Sequence, residues 1–169
     1  RQTEGYKNVD IKVELTETSS KEAPNWANIY KDEDIVNNAN YNINEKYKTD
    51  GYFKAVRYYK AVWAFMQFID NDMQSFLALF SKSLKPNDYD FDQNVLMQFI
   101  KLLVQDRDYS FKDEMIVVLD SENFEVKKKK LVEELSIGKK RFVISTYATI
   151  GAGQNLQYKI PESRLNEVV

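Results

Sequence analysis

The 169-residue sequence contains no cysteine and no histidine. Disulfides, thiolate nucleophiles, imidazole bases and the usual transition-metal ligands are therefore excluded, and only carboxylate and carbonyl oxygens remain as ligands for a hard cation. Glycine and proline are scarce as well, with five and three residues. Two of the five glycines, Gly151 and Gly153, fall within one short turn, which makes that turn the most distinctive stretch of the chain.

The sequence also lacks an excess of positive charge and a long apolar run. Its 24 Lys and Arg residues face 26 Asp and Glu residues, so a polyanion would have to bind at a local site. The most apolar stretch, 61–69, is flanked by Lys60 and Asp70 and is far shorter than the roughly 20 residues of a membrane-spanning helix. The start of the chain has no apolar leader and begins with Arg1, so we expect a cytoplasmic fragment or processed chain without a membrane partner.

What the chain does contain is a high content of hydrophobic residues, 43%, of which many are aromatic. Such a composition predicts a packed domain. We divide the chain into three regions, beginning with an N-terminal strand and irregular segment over 1–49. Residues 7–17 alternate apolar and charged side chains, as in a half-buried strand, and the asparagine-rich stretch 25–45 predicts only short helices.

The second region, 50–106, has helical character. Apolar residues recur so densely from Tyr52 to Phe80 that more than one helix face must be covered. Asp92 is placed to cap a second helix over 93–105. This pattern predicts a helical hairpin or small bundle, which would be an insertion or accessory element. Its aromatic side chains are interpreted first as core residues and only second as surfaces for base stacking.

The third region, 107–169, shows α/β character. The β-branched run 114–120 is typical of a buried parallel strand, and the helix after it should end at Gly138 in a left-handed conformation. Residues 141–147 form the next strand, so the sequence predicts a right-handed βαβ unit. The four lysines 127–130 between these strands are interpreted as a solvated helix face.

The glycine turn, STYATIGAGQNL, follows the carboxyl end of that second strand. Ligands collect at this edge of open α/β sheets, and glycine lets the main chain approach a phosphate closely. Hydroxyls of Ser145, Thr146 and Thr149 and the amides of Gln154 and Asn155 would suit a sugar-phosphate ligand. The turn matches neither GxxxxGK[ST] nor GxGxxG, and a purely structural strand-to-helix turn remains the alternative.

Residues 114–158 resemble the part of the second RecA-like domain of superfamily 2 helicases that leads into and includes helicase motif V. The GQNL sequence is similar to the GxNL form found in Swi/Snf-type remodelling ATPases and related translocases. The resemblance implies an α/β fold with a partial RecA-like parallel sheet. It also implies that the chain is part of an ATP-dependent helicase or translocase.

The resemblance also implies roles for individual residues. Ser145, Thr146, Gly151 and Gly153 would contact the backbone of DNA or RNA, while Gln154 and Asn155 would lie toward a nucleotide. ATP and Mg²⁺ are expected in the intact parent, with none expected for this chain alone. Walker A, Walker B and the arginine-bearing motif VI are absent from the sequence, so the remainder of the motor is an expected partner and the chain should be inactive by itself.

Two other interpretations remain open. The helical region could bind a protein partner without any catalytic activity, which an exposed aromatic patch or a stable dimer would indicate. A small enzyme that uses carboxylates is the last alternative, with Asp88, Asp90 and Asp92 as oxygen ligands. That run lacks the glycine and the twelfth-position glutamate of an EF-hand and is better interpreted as a loop and helix cap.

Overall fold

The computed structural model describes residues 24–47 and 51–151. These residues form five α-helices and three β-strands, joined by loops and two short 3₁₀ turns. In chain order they are α1 (Glu33–Lys46), α2 (Gly51–Asp70), β1 (Ser75–Phe80), α3 (Gln93–Asp106), β2 (Ile116–Val118), α4 (Phe124–Ser136), β3 (Arg141–Thr146) and α5 (Tyr147–Gly151).

The three strands form a parallel sheet in the order β1-β3-β2. Phe80 is paired with Thr146, and Val118 with Ile144, so the carboxyl ends of the strands meet at one edge. The chain therefore builds the two outer strands first and places β3 between them. All six residues of β3 are buried, as expected for a central strand covered on both faces.

Helices cover both faces of the sheet. Phe142 and Ile144 of β3 belong to the core formed with α2 and α3, whereas Val143 packs with Leu131 and Leu135 of α4. Alternate residues of a strand point to opposite faces, which explains this division. The result is a three-layer α/β arrangement, so the predicted α/β class with a parallel sheet is confirmed.

Aspartate side chains start two of the helices. An Asp32 carboxylate oxygen accepts hydrogen bonds from the amides of Asp34 and Ile35, and Asp92 accepts one from the amide of Asn94. The predicted Asp92 cap is therefore confirmed. The prediction of only short helices over 25–45 is wrong, because α1 is 14 residues long.

Helices α2, α3 and α4 end in the same way, with one residue in the left-handed conformation. These residues are Asp72, Asp108 and Gly138, with φ of 50°, 50° and 86°. In each case its amide and the next amide bond back to carbonyls of the last turn, which satisfies groups that a helix end leaves free. The predicted left-handed end at Gly138 is confirmed.

The end of α2 corrects a second prediction. The dense apolar pattern predicted helix as far as Phe80, but α2 ends at Asp70 and residues 75–80 form β1. The run SFLALF is a strand because β3 lies beside it along its whole length. The region 50–106 therefore contributes a strand of the sheet as well as α2 and α3.

One hydrophobic core joins the described parts of the three regions. Trp26 stacks on Phe99 of α3 with ring centroids 5.1 Å apart, and the Tyr30 hydroxyl donates to the Phe99 carbonyl at 2.8 Å. The same core extends to Phe142 and Ile144 in the sheet. The strand predicted over 7–17 lies outside the described residues.

Candidate functional site at the carboxyl edge of the sheet

The chain leaves the carboxyl ends of β1 and β3 toward opposite faces of the sheet. β1 is followed by α3, which belongs to the core on the Phe142 face. β3 continues directly into α5, whose Ile150 packs against the core of α4 on the other face. Adjacent parallel strands whose connections diverge in this way open a crevice between them, which is where α/β sheets bind ligands.

Ser145 lies at this edge but its hydroxyl points into the protein. The side chain is 3% exposed, and Oγ donates to the carbonyl of Leu119 at 2.9 Å. Leu119 directly follows β2, so this bond ties the end of β3 to the end of β2. In this arrangement Ser145 fixes the shape of the edge.

Thr146 and Thr149 form a pair of hydroxyls at the start of α5. Their Oγ1 atoms are 2.9 Å apart, and the Thr149 amide donates to Thr146 Oγ1 at 3.1 Å. Thr146 is buried and Thr149 is half-buried. Thr146 therefore caps the turn, and the Thr149 hydroxyl is the more accessible of the two.

Gly151 ends α5 and is exposed. A Cβ added there would meet no atom within 4 Å, and its φ is outside the left-handed region. The described surroundings therefore do not require glycine at this position. Gly153, Gln154 and Asn155, the other predicted residues of the turn, lie outside the described residues.

Cationic side chains that the sequence interpretation did not assign to a site lie beside this edge. Lys82, just after β1, pairs with Asp90 at 3.4 Å, and an Arg57 guanidinium nitrogen donates to the Asp90 carbonyl. Arg57 and Lys60 belong to α2, where they continue a spacing of three residues from Lys54. That spacing puts the three cations on neighbouring helix positions and was the sequence signal for them.

Lys127 departs from the prediction of a solvated lysine face. Its ammonium group donates to the Val118 carbonyl at 3.0 Å and to the Asp120 carboxylate at 2.9 Å. The Lys127 hydrogen bond, helped by backbone amides of the following turn, lowers the pKa of Asp120 below its ordinary value. The carboxylate that follows β2 is therefore held ionised and partly neutralised.

A groove of about 410 Å³ runs between α2 and β1 and opens at the carboxyl edge. Of the described residues that line it, two are cationic and none is acidic. Phe53 and Tyr147, which lie along it, are 76% and 63% exposed. The groove therefore combines aromatic surface with positive charge.

The aspartates at 88, 90 and 92 serve the loop before α3. Asp88 accepts hydrogen bonds from the amides of Asp90 and Phe91, which lower the pKa of its carboxyl group. Within residues 24–47 and 51–151, no group of three or more acidic side chains is arranged to hold a metal ion.

Nor does this part of the chain contain a helix with the length and apolar character needed to cross a bilayer.

Comparisons of the chain with protein-family models, with curated proteins and with solved structures gave no match. The site is therefore interpreted from its own geometry. That geometry consists of a crevice between β1 and β3, a hydroxyl pair in the turn after β3, and cations from α2 and from the loop after β1.

Proposed function

We propose that the carboxyl edge of the sheet contacts the sugar-phosphate backbone of a nucleic acid, as part of the second RecA-like domain of an ATP-dependent helicase or translocase. The observation that carries this proposal is the position of the Thr146 turn. It follows the central strand of a parallel sheet, at the point where the exits of β1 and β3 diverge. The start of this turn, at the edge where open parallel sheets bind ligands, supports the proposal.

β1 adds support that the sequence did not reveal. A RecA-like sheet needs a parallel strand beside the one that carries the turn, and the sequence predicted no strand between residues 17 and 114 that could take this place. Ser75–Phe80 supplies that strand and pairs with β3 over six residues. The loop after it brings Ser81 and Lys82 to the same edge as the Thr146 turn.

The chemistry of the edge suits phosphate groups without a preference for sequence. Hydroxyls and main-chain amides donate hydrogen bonds to phosphate oxygens, and lysine and arginine neutralise their charge. Thr149, Lys82 and Arg57 supply these groups around the crevice. Because the chain carries a net charge of −2, this local concentration of cations is what would attract a polyanion.

The predicted residues then divide between shaping and contact. Ser145 and Thr146 hold the turn in place, and contact with phosphates is assigned to the main chain at Gly151, while Gly153 lies outside the described residues. Gln154 and Asn155 would lie toward the nucleotide of the intact motor, which supplies the free energy of translocation. The sequence lacks a Walker A motif, and the proposed role of its residues is contact with the nucleic acid and not hydrolysis of ATP.

Binding of the full chain to a fluorescein-labelled oligonucleotide, followed by fluorescence anisotropy over a salt series, tests the proposal. Each lysine that contacts a phosphate contributes a slope of about 0.7 to the plot of log affinity against log salt for a single strand. We expect Lys82→Gln to weaken binding to DNA and RNA alike and to reduce this slope by about that amount.

Lys101 provides a matched control for Lys82. Both are exposed lysines in an ion pair with an aspartate, Lys82 with Asp90 at 3.4 Å and Lys101 with Asp113 at 3.3 Å. Lys101 lies on α3, away from the edge, so Lys101→Gln should leave the affinity and slope unchanged. Equal losses in the two variants would show non-specific attraction and would count against the proposal.

A protein-interaction module is the second candidate function, and exposed Phe53 favours it. Most large apolar side chains of α2 are buried in the core, but Phe53 is 76% exposed on the wall of the groove. Sedimentation of the full chain tests this candidate. A stable dimer that dissociates in the Phe53→Ala variant would support the interaction module. A monomer would exclude a module that acts by forming a homodimer.

A further inference from the structure

The groove between α2 and β1 has an aromatic lining. Phe53, near the start of α2, is 76% exposed, and Tyr147, directly after β3, is 63% exposed. Trp63, Phe76 and Phe80 are half-buried and line the same groove. Five aromatic side chains therefore border one groove, and two of them present most of their surface to solvent.

Two cations lie between the aromatic residues of α2. Arg57 is half-buried and Lys60 is exposed, and both line the groove. The spacing of residues 53, 57, 60 and 63 puts these side chains on one face of the helix. Among the described residues of the lining, none is acidic. The helix therefore presents two positive charges, flanked by aromatic rings, to the groove.

A single-stranded nucleic acid combines the two chemistries that this lining suits. Its phosphates pair with lysine and arginine, and its unpaired bases offer flat apolar faces that stack on aromatic side chains. In a duplex these faces are stacked within the double helix and are out of reach. The volume of the groove, about 410 Å³, is within the range of roughly 300–1,000 Å³ that is common for small-ligand sites. The groove is therefore large enough to take a base.

The position of Tyr147 joins this groove to the Thr146 turn. Thr146 Oγ1 accepts a hydrogen bond from the Thr149 amide at the carboxyl edge, and the Tyr147 ring lines the groove one residue further along. We propose that the groove holds unpaired bases of a single strand whose backbone follows the carboxyl edge, so that the site binds single strands in preference to duplexes. This inference rests on the proposed contact of the edge with a nucleic-acid backbone and names the form of nucleic acid that the site takes.

A second copy of this chain fits the groove less well. In a two-fold symmetric dimer the same patch lies on both subunits and faces itself. Arg57 and Lys60 would then lie opposite the same two cations of the other copy, and such like-charge contacts weaken association. The charge of the lining thus favours a polyanion over self-association.

Fluorescence anisotropy of the full chain with a labelled oligothymidylate, and with a blunt duplex of equal length, tests the proposal. We expect tighter binding of the single strand. Tyr147→Ala removes a stacking ring and should weaken single-strand binding by about fivefold or more, while duplex binding stays unchanged. Tyr147→Phe keeps the ring and should retain the affinity. Neither variant removes a charge, so the salt slope should stay the same.

Tyr41→Ala is the matched control, because Tyr41 on α1 is 66% exposed and does not line the groove. Its substitution should leave both affinities unchanged. Equal binding of single strand and duplex, or an unchanged single-strand affinity in Tyr147→Ala, would overturn this inference. The proposed backbone contact would survive either result if Lys82→Gln still reduced the salt slope. A dimer that dissociates in Tyr147→Ala, with no effect on oligonucleotide binding, would also overturn the inference and would assign the groove to a second copy.

Tryptophan fluorescence provides an independent readout of the same groove. The chain has two tryptophans, of which Trp63 lines the groove and Trp26 is buried. A base that enters the groove should quench Trp63, so we expect the oligothymidylate to quench the native chain and the duplex to leave it unchanged. The quenching should disappear in Trp63→Phe, which retains only Trp26. Quenching of equal size in Trp63→Phe would place the strand elsewhere and would contradict the inference.

Discussion

The ion pair of Arg141 with Glu134 lies at the opposite edge of the sheet from the candidate site. Arg141, the first residue of β3, is 3% exposed, and its Nε donates to a Glu134 oxygen at 2.7 Å. One guanidinium nitrogen also donates to the Lys140 carbonyl. A buried cation with a single carboxylate partner depends on that partner, because an unpaired buried charge is costly.

We predict that Glu134→Ala destabilises the protein by about 3 kcal/mol, measured by urea unfolding at pH 7. Glu133→Ala, at the neighbouring exposed position of α4, should change the stability little. The hydrogen bond from Arg141 lowers the pKa of Glu134. The contribution of the carboxylate is therefore present above the ordinary glutamate pKa, about 4.3, and is lost as the pH falls through the folded-state value.

The difference between the native chain and Glu134→Ala should consequently shrink below about pH 4. A difference that stayed constant from pH 7 to pH 3 would mean that the lost packing of the side chain, and not its charge, accounts for the effect.

Helices α2, α3 and α4 share one type of C-terminal cap, in which a residue adopts the left-handed conformation that usually requires glycine. Only α4 uses glycine for its left-handed residue, while α2 and α3 use Asp72 and Asp108. Aspartate tolerates this conformation better than most residues, but still less well than glycine. At this helix end the Asp108 amide donates to the Gln105 carbonyl at 3.2 Å, and the Tyr109 amide donates to the Val104 carbonyl at 3.0 Å. Both hydrogen bonds involve only the main chain.

Asp108→Gly should therefore stabilise the protein by up to about 1 kcal/mol, and Asp108→Ala should destabilise it by a similar amount. Glycine removes the steric cost of a positive φ, whereas alanine keeps that cost and loses the short polar side chain. Denaturation midpoints of the three proteins measure the order of stability. Equal midpoints for the alanine and glycine variants would contradict the structural assignment of this helix end.

The sequence predicted those elements whose signals are local. Asp92 and Gly138 mark the start of α3 and the end of α4, and the β-branched runs mark β2 and β3. β1 was missed because SFLALF is apolar apart from its first residue and lacks the alternation of apolar and polar residues that marks a half-buried strand, so it extends the apolar pattern of α2 beyond Asp70 and Asp72. Its identity as a strand depends on residues 141–146, more than 60 positions further along the chain.

The residues of the candidate site were likewise predictable only where their signals are local in the sequence. The position of the turn directly after β3 was accessible from sequence, because it follows from the order of residues in one segment. The bond from the Thr149 amide to the Thr146 hydroxyl was not predicted. The inward orientation of Ser145 depends on Leu119, which only the pairing of β2 with β3 brings into reach. The cations of α2 join the site only through the packing of α2 against the sheet.

The helix layers on both faces of the sheet pack against the central strand, β3. Phe142 contacts Phe65, Phe68 and Phe76 on one face, with ring centroids 5.2–5.7 Å apart, while Val143 packs against α4 on the other. Neither layer of helices can separate from the sheet without exposing β3. The structure therefore predicts that the two layers unfold together.

We predict losses of about 3–5 kcal/mol for Phe142→Ala and about 2–5 kcal/mol for Leu131→Ala, with Val126→Ala, at an exposed position of α4, near zero. In both destabilised variants, tryptophan fluorescence and far-ultraviolet circular dichroism should give coincident transitions. Tryptophan reports the layer of α2 and α3, so an earlier circular dichroism transition in Leu131→Ala would show that α4 unfolds separately.

The order β1-β3-β2 has a consequence for the chain during its synthesis. The strands made first, β1 and β2, are not neighbours, and 22 residues separate the end of β2 from the start of the strand that joins them. Until residues 141–146 leave the ribosome, no pair of adjacent strands exists among β1, β2 and β3, and the apolar surfaces of α2 and α3 have no sheet to cover. A nascent chain stalled before Arg141 should therefore be a strong client for chaperones that bind exposed apolar segments, and one stalled well past Thr146 a weak one.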